Sequence, residues 1–168
     1  MSSHEHKSNA PTVINCLIVT VSDTRSTETD KSGSIISSLL EETGHKVIKR
    51  MIVKDEQEEI HSAIKQGITA SDVDAVLLNG GTGISKRDVT YEVVEGMLEK
   101  ELEGFGELFR MISYTEDIGS PALLSRAIGG VTGETAIFAM PGSSGAVKLA
   151  MTKLLIPELP HIVRELHK

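Results

Sequence analysis

The feature that most constrains the fold is an alternation of short, continuous apolar runs with segments of helical periodicity. The first run, INCLIVTV at residues 14–21, is rich in Val and Ile and predicts a strand buried on both faces, as in a parallel sheet. A predicted helix follows, with Asp30 as its cap and Gly44 at its end. The same order repeats after residues 46–53 and 75–79, where we expect Asp55 to begin one helix and Thr90 to cap another. Three strand–loop–helix units predict an α/β domain with a largely parallel sheet.

The second half of the chain mixes helices with a hairpin. Residues 101–118 are predicted to be helical, and residues 119–127 to contain a turn marked by proline and a short helix. Residues 128–140 predict two short strands, the second of which, AIFAM, is buried. A helix is expected after PGSS, and a last one near Pro157.

Length and charge narrow the class of protein. The 168 residues suit one compact domain, at residues 13–168. The formal net charge is −7 and the basic residues are scattered, so neither nucleic acid nor an anionic membrane is an expected partner. No apolar run approaches the roughly 20 residues that span a bilayer, and residues 1–12 are polar, without the apolar segment of a secretory signal. We therefore expect a flexible N-terminal tail at residues 1–12 and a cytoplasmic protein.

The cysteine and the first two histidines give no sign of chemistry. Cys16, the only cysteine, lies within the first apolar run and is expected to be a buried, inert thiol. His4 and His6 are more typical of a polar tail than of a metal site.

Four loops are predicted to lie on one edge of the sheet. In parallel α/β sheets, ligands bind beyond the carboxyl ends of the strands, where loops lead into helix N-termini that favour anions. The first loop contains Ser22 and Asp23, the second Asp55, the third residues 80–90, and the fourth residues 141–144. We expect the functional site where they converge.

The third loop, GGTGISKRDVT, is rich in glycine. Without a Cβ, glycines adopt unusual dihedral angles and let successive amides approach a phosphate or a flat ring closely. A tight turn with no ligand explains the same residues. The loop lacks the Lys-Ser or Lys-Thr pair of a P-loop and the third glycine of a dinucleotide fingerprint.

The acidic and hydroxyl residues of these loops each have two interpretations. Asp88 lies two residues before the predicted cap Thr90, so its carboxylate is available to hold magnesium with substrate phosphates, or else it is a solvated group paired with Arg87 or Lys86. Asp55 resembles a helix cap with a reciprocal glutamate, and Asp23 could fix a turn. Ser143, after Gly142, could receive an oxyanion or simply cap a helix.

Taken together, VSDTRS, DKSG, GGTGISKRDVT and AMPGSSGAV, in this order and at these intervals, resemble the MoaB/MogA family of molybdenum cofactor biosynthesis. The resemblance covers residues 13–166. It implies a three-layer α/β/α sandwich that binds molybdopterin and, in active members, adenylylates it with Mg-ATP. By motif, it assigns catalysis to Asp55 and Asp88, and we expect Asp88 to be the principal metal-positioning carboxylate, with Asp55 second. With the first loop included, the predicted substrate-binding residues are Ser22, Asp23, Gly80, Gly81, Thr82, Gly83, Gly142 and Ser143.

Two departures indicate the MoaB branch. PGSS stands where the MogA branch has PGN, and Tyr91 replaces the proline that is common after RDVT. The resemblance further implies a homo-oligomer, a trimer or a hexamer. Two alternatives remain: a non-catalytic molybdopterin-binding or scaffold protein, and a nicotinamide-dependent oxidoreductase, which the missing third glycine disfavours.

Overall fold

The computed structural model describes residues 11 and 13–168. Of the predicted tail, residues 1–10, with His4 and His6, and residue 12 lie outside the described residues. The described chain forms six strands and six α-helices, with a 3-10 turn at Ser120–Leu124 and a π turn at Met151–Leu155. The strands are β1 (Asn15–Val21), β2 (Lys46–Val53), β3 (Ala75–Asn79), β4 (Lys100–Glu101), β5 (Ile128–Thr132) and β6 (Thr135–Met140). The helices are α1 (Lys31–Glu42), α2 (Gln57–Thr69), α3 (Thr90–Met97), α4 (Glu103–Glu116), α5 (Ser144–Ala150) and α6 (Ile156–Leu166).

One sheet in the order β2-β1-β3-β6-β5-β4 organises the fold. The first four of these strands are parallel, whereas β5 runs antiparallel to β6, and β4 antiparallel to β5. Apolar side chains pack on both faces of the sheet, one face against α1, α4, α5 and α6, and the other against α2 and α3. The predicted three-layer α/β/α sandwich with a mostly parallel sheet is confirmed.

Strand β1 shows why its apolar run is continuous. Cys16 and Ile18 face one core while Leu17 and Val19 face the other, and all four are at most 3% exposed. Successive side chains of a strand point to opposite faces, so a strand covered on both sides has no polar face. Burial raises the pKa of the Cys16 thiol to about 12, so the thiol stays protonated, as expected for an inert core cysteine.

The predicted residues at both ends of α1 are correct, whereas the predicted caps of α2 and α3 are wrong. The carboxylate of Asp30 accepts from the Gly33 N–H at 3.0 Å, and Gly44, with φ of +85°, follows the end of α1. Thr90 does not cap α3; the cap is Val89, and the N–H of Thr90 donates to the Gly81 carbonyl instead. Asp55 does not cap α2 either, because the helix begins one residue later, after Glu56.

The hairpin and the short helix of the second half are confirmed, with two differences. Residues 100–101, at the edge of the predicted helix at 101–118, pair with β5 as a short strand, so α4 begins at Glu103. The two predicted C-terminal helices follow each other without a loop, through the π turn. No helix within residues 13–168 has both the length and the apolar character to cross a bilayer.

Candidate functional site

The carboxyl ends of β1, β2, β3 and β6 bring the four predicted loops together on one edge of the sheet. The Ser22 N–H donates to the Val53 carbonyl at 2.8 Å, which joins the first two loops. The Gly80 N–H donates to the Met140 carbonyl at 3.1 Å, which joins the last two. A Cβ on Gly142 would lie 3.0 Å from the Gly80 Cα, so the glycine loop and the PG turn are in direct contact.

A buried polar network fixes the start of the glycine loop. Asn79, the last residue of β3, is fully buried; its amide donates to the Thr20 hydroxyl at 3.0 Å and accepts from the Ser32 hydroxyl at 2.7 Å. Thr20 donates in turn to Asp30 at 2.9 Å, and Asp30 pairs with Arg50 at 3.1 Å. Because buried polar networks of this kind are stable only when each member has its partners, the DKSG segment holds the end of β3 in place.

The glycines of the third loop lack side chains because the protein itself occupies the space. Gly80 and Gly81 have φ of +94° and +68°, values that favour glycine. A Cβ on Gly80 would overlap the Val21 carbonyl, and one on Gly81 would overlap the Thr90 hydroxyl and lie 2.9 Å from Asp55 Oδ1. A Cβ on Gly83 would lie 2.6 Å from Asp88 Oδ2. Close packing by the chain's own atoms therefore accounts for these three glycines.

Two successive backbone N–H groups of the same loop are available to a ligand. The carbonyls of Thr82 and Gly83 both accept from Arg126, at 3.0 and 2.9 Å. Within the described residues, no acceptor receives the N–H groups of Gly83 and Ile84. Unpaired successive N–H groups in a turn form a concavity that binds anions.

Asp88 is held by its own turn. Its Oδ2 accepts from the Ser85 N–H at 3.0 Å and from the Ser85 hydroxyl at 2.6 Å. The expected alternative pairing with Arg87 is wrong, because Arg87 pairs with Asp23 and Glu56 instead. The carboxylate therefore lies beside Gly83 without a cation of the protein paired to it in the described part of the chain.

Asp55 lies between two other carboxylates. Burial, and then the negative charges of Asp23 and Asp88, raise its pKa above the usual value of 3.8. Its Oδ1 and the Thr90 hydroxyl approach the same point above Gly81. The Thr90 hydroxyl is the one buried side-chain polar atom of the described residues that has no hydrogen-bond partner.

Asp23 connects loops, and its carboxylate is already engaged by the protein. Its carboxylate accepts the Asp55 N–H at 3.1 Å and forms a bidentate pair with Arg87, and these contacts lower its pKa. Ser22 likewise uses its hydroxyl to accept from the backbone at Thr24 and Arg25. Both side chains organise the first loop.

Ser143 is a helix cap, one of its two predicted interpretations. Its hydroxyl accepts from the Ala146 N–H at 3.2 Å, at the start of α5. Capping and ligand contact are compatible, since the first N–H groups of a helix favour anions.

The acidic side chains at this edge suit magnesium better than a metal held by protein ligands alone. Among the described residues, no group of three or more His, Cys, Asp and Glu side chains is placed to hold a metal ion. Asp55 and Asp88 interact electrostatically and offer oxygen ligands. One or two carboxylates completed by substrate phosphates are the usual way in which a protein holds Mg²⁺.

This open α/β sheet carries a glycine loop, two interacting carboxylates and a helix N-terminus at its strand ends. Together these features define a class of protein that binds phosphorylated ligands. Residues 17–161 match the family described as "Probable molybdopterin binding domain". The chain is 62% identical over 168 residues to molybdenum cofactor biosynthesis protein B of Bacillus cereus, with 100% of this chain and 99% of the relative covered.

Solved structures similar to this chain include proteins of the same kind. A crystal structure of a molybdenum cofactor biosynthesis protein B has a TM-score of 0.92 at 62% identity, covering 95% of this chain and 99% of that one. The tungsten cofactor synthesizing protein MoaB from Pyrococcus furiosus has a TM-score of 0.83 at 35% identity, covering 95% and 100%. The chain belongs to the MoaB/MogA family of molybdenum cofactor biosynthesis proteins, and it is most similar to the MoaB branch.

Sequence reasoning missed three residues of this site. Asn79 and Arg126 belong to no recognisable motif. The one indication of Asn79 is that a polar residue ends an otherwise apolar strand. The local pattern predicts a cap at Thr90, whereas its hydroxyl faces Gly81 in the structure.

Proposed function

We propose that this protein binds molybdopterin and adenylylates its terminal phosphate with Mg-ATP. An oxygen of that phosphate forms a bond to the α-phosphorus of ATP, the bond from the α-phosphorus to the bridging oxygen breaks, and pyrophosphate leaves. The observation that carries the proposal is the placement of two interacting carboxylates, Asp55 and Asp88, beside a loop with unpaired N–H groups. This combination suits the alignment of two phosphates, a reaction that needs no protein nucleophile.

Different residues of the site would have different roles in this reaction. The unpaired N–H groups of Gly83 and Ile84 in the glycine loop would bind phosphate oxygens, and so would the start of α5 at Gly142 and Ser143. Asp88 would be the principal magnesium-positioning carboxylate and Asp55 the second; the ion would neutralise charge that grows at the reacting phosphorus. Asp23 would hold the loops in register.

A non-catalytic molybdopterin-binding protein of the same pathway is the second candidate. It is favoured by PGSS and by Tyr91, the two positions at which this chain departs from the pattern of the MogA branch. The nicotinamide-dependent oxidoreductase remains disfavoured by the missing third glycine.

One assay separates these candidates. The protein is incubated with molybdopterin and Mg-ATP, and pyrophosphate release is measured beside molybdopterin binding. Binding with stoichiometric or catalytic pyrophosphate release supports the adenylyl transfer, and loss of release on chelation of magnesium supports the metal role. Binding without pyrophosphate release would leave the non-catalytic function, and absence of binding would reject both.

We also propose that the protein acts in the cytoplasm as a homo-oligomer, a trimer or a hexamer. The support is a set of exposed apolar side chains on α4 and on the 3-10 turn after it, among them Met111 at 55% and Leu123 at 88% exposure. Exposed apolar side chains grouped on one helix and the turn that follows it are a feature of protein interfaces.

A further inference from the structure

Arg126 contacts the glycine loop from the opposite half of the sequence. It lies two residues before β5, and its Nε donates to the Thr82 carbonyl at 3.0 Å while Nη2 donates to the Gly83 carbonyl at 2.9 Å. The same guanidinium pairs with both carboxylate oxygens of Glu92 in α3. One side chain therefore connects the loop, the helix that follows it and the start of β5.

These contacts determine where the next two N–H groups point. In a trans peptide the C=O and the N–H are on opposite sides of the unit, and no peptide of the described residues is cis. Because the Thr82 and Gly83 carbonyls both face Arg126, the N–H groups of Gly83 and Ile84 both point away from it. Both lack an acceptor within the described residues. Two successive N–H groups with the same direction can bind the oxygens of one phosphate.

The geometry uses the planar fork of arginine. Two carbonyls and a carboxylate are engaged at once, which a lysine ammonium cannot reproduce with the same directions. The Arg126 Cζ also lies 4.8 Å from the centroid of the Tyr91 ring, so the guanidinium is supported by an aromatic face. Tyr91 is the residue that departs from the proline typical of the family, and here it has a physical role.

We propose that Arg126 is a positioning residue for phosphate binding: it holds two carbonyls so that the N–H groups of Gly83 and Ile84 are presented to a ligand phosphate. The proposal rests on the proposed function in that it takes the glycine loop as the phosphate site. The shared chemistry is a phosphate monoester or anhydride, supplied either by molybdopterin or by ATP. Arg126 itself does not touch the ligand.

The first test uses the unmodified protein. Backbone amide NMR signals of Gly83 and Ile84 are followed in two titrations, one with molybdopterin alone and one with Mg-ATP alone. Both signals should shift in at least one titration, and the titration that moves them identifies the source of the phosphate.

The second test compares Arg126→Lys with a control, Arg164→Lys, in helix α6. Both arginines pair with a carboxylate, and their side chains are 29% and 15% exposed. Arg126→Lys should weaken binding of the ligand identified above by about tenfold, because loosened carbonyls no longer fix the N–H groups. Arg164→Lys should change it by less than about twofold. Thermal unfolding of both variants is measured, and Glu92→Gln replaces Arg126→Lys if the latter does not fold, with a smaller loss of affinity expected.

The outcomes separate the two claims. If the protein binds neither ligand, the proposed function and the positioning role both fail. If it binds but the Gly83 and Ile84 signals do not move, or if Arg126→Lys binds as tightly as the unmodified protein, only the positioning role is overturned. Shifts in both signals, together with a selective loss in Arg126→Lys, would establish it.

Discussion

Arg87 and Asp23, 64 residues apart in the chain, form a bidentate ion pair in which Arg87 Nε and Nη2 donate to the two oxygens of Asp23 at 3.0 and 2.9 Å. Arg87 also donates to Glu56 at 3.0 Å, and Asp23 accepts the Asp55 N–H. The pair therefore links the loops that follow β1, β2 and β3. It thereby fixes the position of Asp55 relative to the turn that contains Asp88.

Arg87→Gln should impair catalysis far more than stability. An exposed ion pair contributes little to folding, whereas misplaced reacting groups lower the rate steeply. We expect kcat/KM for pyrophosphate release to fall by about tenfold or more, with a nearly unchanged unfolding temperature. Lys153→Gln, which removes a surface ion pair with Glu116, is the control. An unchanged kcat/KM in Arg87→Gln would show that the link has no catalytic role.

Asp88→Asn should stop turnover while the variant still binds molybdopterin. The Asn side-chain oxygen can still accept from Ser85, so the turn is retained and the change isolates the charge. Loss of a group that stabilises developing charge typically costs about 100-fold or more in kcat. Pyrophosphate release and the molybdopterin dissociation constant are measured together. Asp72→Asn, an exposed aspartate before β3 at the other edge of the sheet, is the control. Full activity of Asp88→Asn would remove this residue from the mechanism.

Gly81→Ala should destabilise the fold. The residue has φ of +68°, and the new methyl group would overlap the Thr90 hydroxyl. Strain at such a position costs about 1–3 kcal/mol. Gly96→Ala in the neighbouring helix α3 has no atom within 4 Å of its methyl position and should instead stabilise by up to about 1 kcal/mol. Urea unfolding compares the two, and equal stabilities would contradict the strain at Gly81.

The convergence of the four loops was predictable because parallel strands carry their carboxyl ends to one edge, and the strands themselves were visible as continuous apolar runs. The caps at Thr90 and Asp55 were not predictable. Local pattern favours a cap at each, but the Thr90 N–H bonds to Gly81 and the Asp55 N–H to Asp23, partners that only the folded chain brings near. Tertiary contacts decided both positions.

Tertiary contacts also determine which charged side chains pair. Sequence proximity favoured Arg87 as the partner of Asp88, whereas the partner of Arg87 lies in a different loop. No sequence pattern indicates the role of Arg126, because it is a single arginine before an apolar strand and its acceptors in the glycine loop are backbone carbonyls.

Asp55→Asn should stabilise the protein at neutral pH. The folded pKa of Asp55 is raised, so its contribution to stability is fully present below the ordinary value of 3.8 and is lost as the pH rises through the raised pKa. Asn cannot ionise, so the Asp55→Asn variant does not lose this stability as the pH rises. Its unfolding temperature should therefore exceed that of the unmodified protein at pH 7 without metal, and the difference should shrink as the pH falls towards 4.

Thermal unfolding between pH 4 and pH 7.5 checks this expectation, and Mg²⁺ provides a second comparison. Because the ion relieves repulsion among the carboxylates, it should raise the unfolding temperature of the unmodified protein more than that of Asp55→Asn. A variant less stable than the unmodified protein at pH 7 would contradict the repulsion inferred at Asp55.

Charged substitutions on the outer face of α4 and the 3-10 turn should break the proposed homo-oligomer. Leu108, Met111 and Tyr114 are spaced by three residues along α4 and are 47, 55 and 60% exposed, and Leu123 and Leu124 extend the same kind of surface beyond the helix.

Sedimentation velocity should give three or six times the monomer mass for the unmodified protein and the monomer mass for Met111→Glu combined with Leu123→Glu. Ile48→Glu, an exposed apolar position on the edge strand β2, should leave the assembly intact. Because both substituted side chains face solvent in the single chain, the double variant should keep its unfolding cooperativity, which separates loss of assembly from loss of fold. A monomeric unmodified protein would instead require another explanation for this apolar surface.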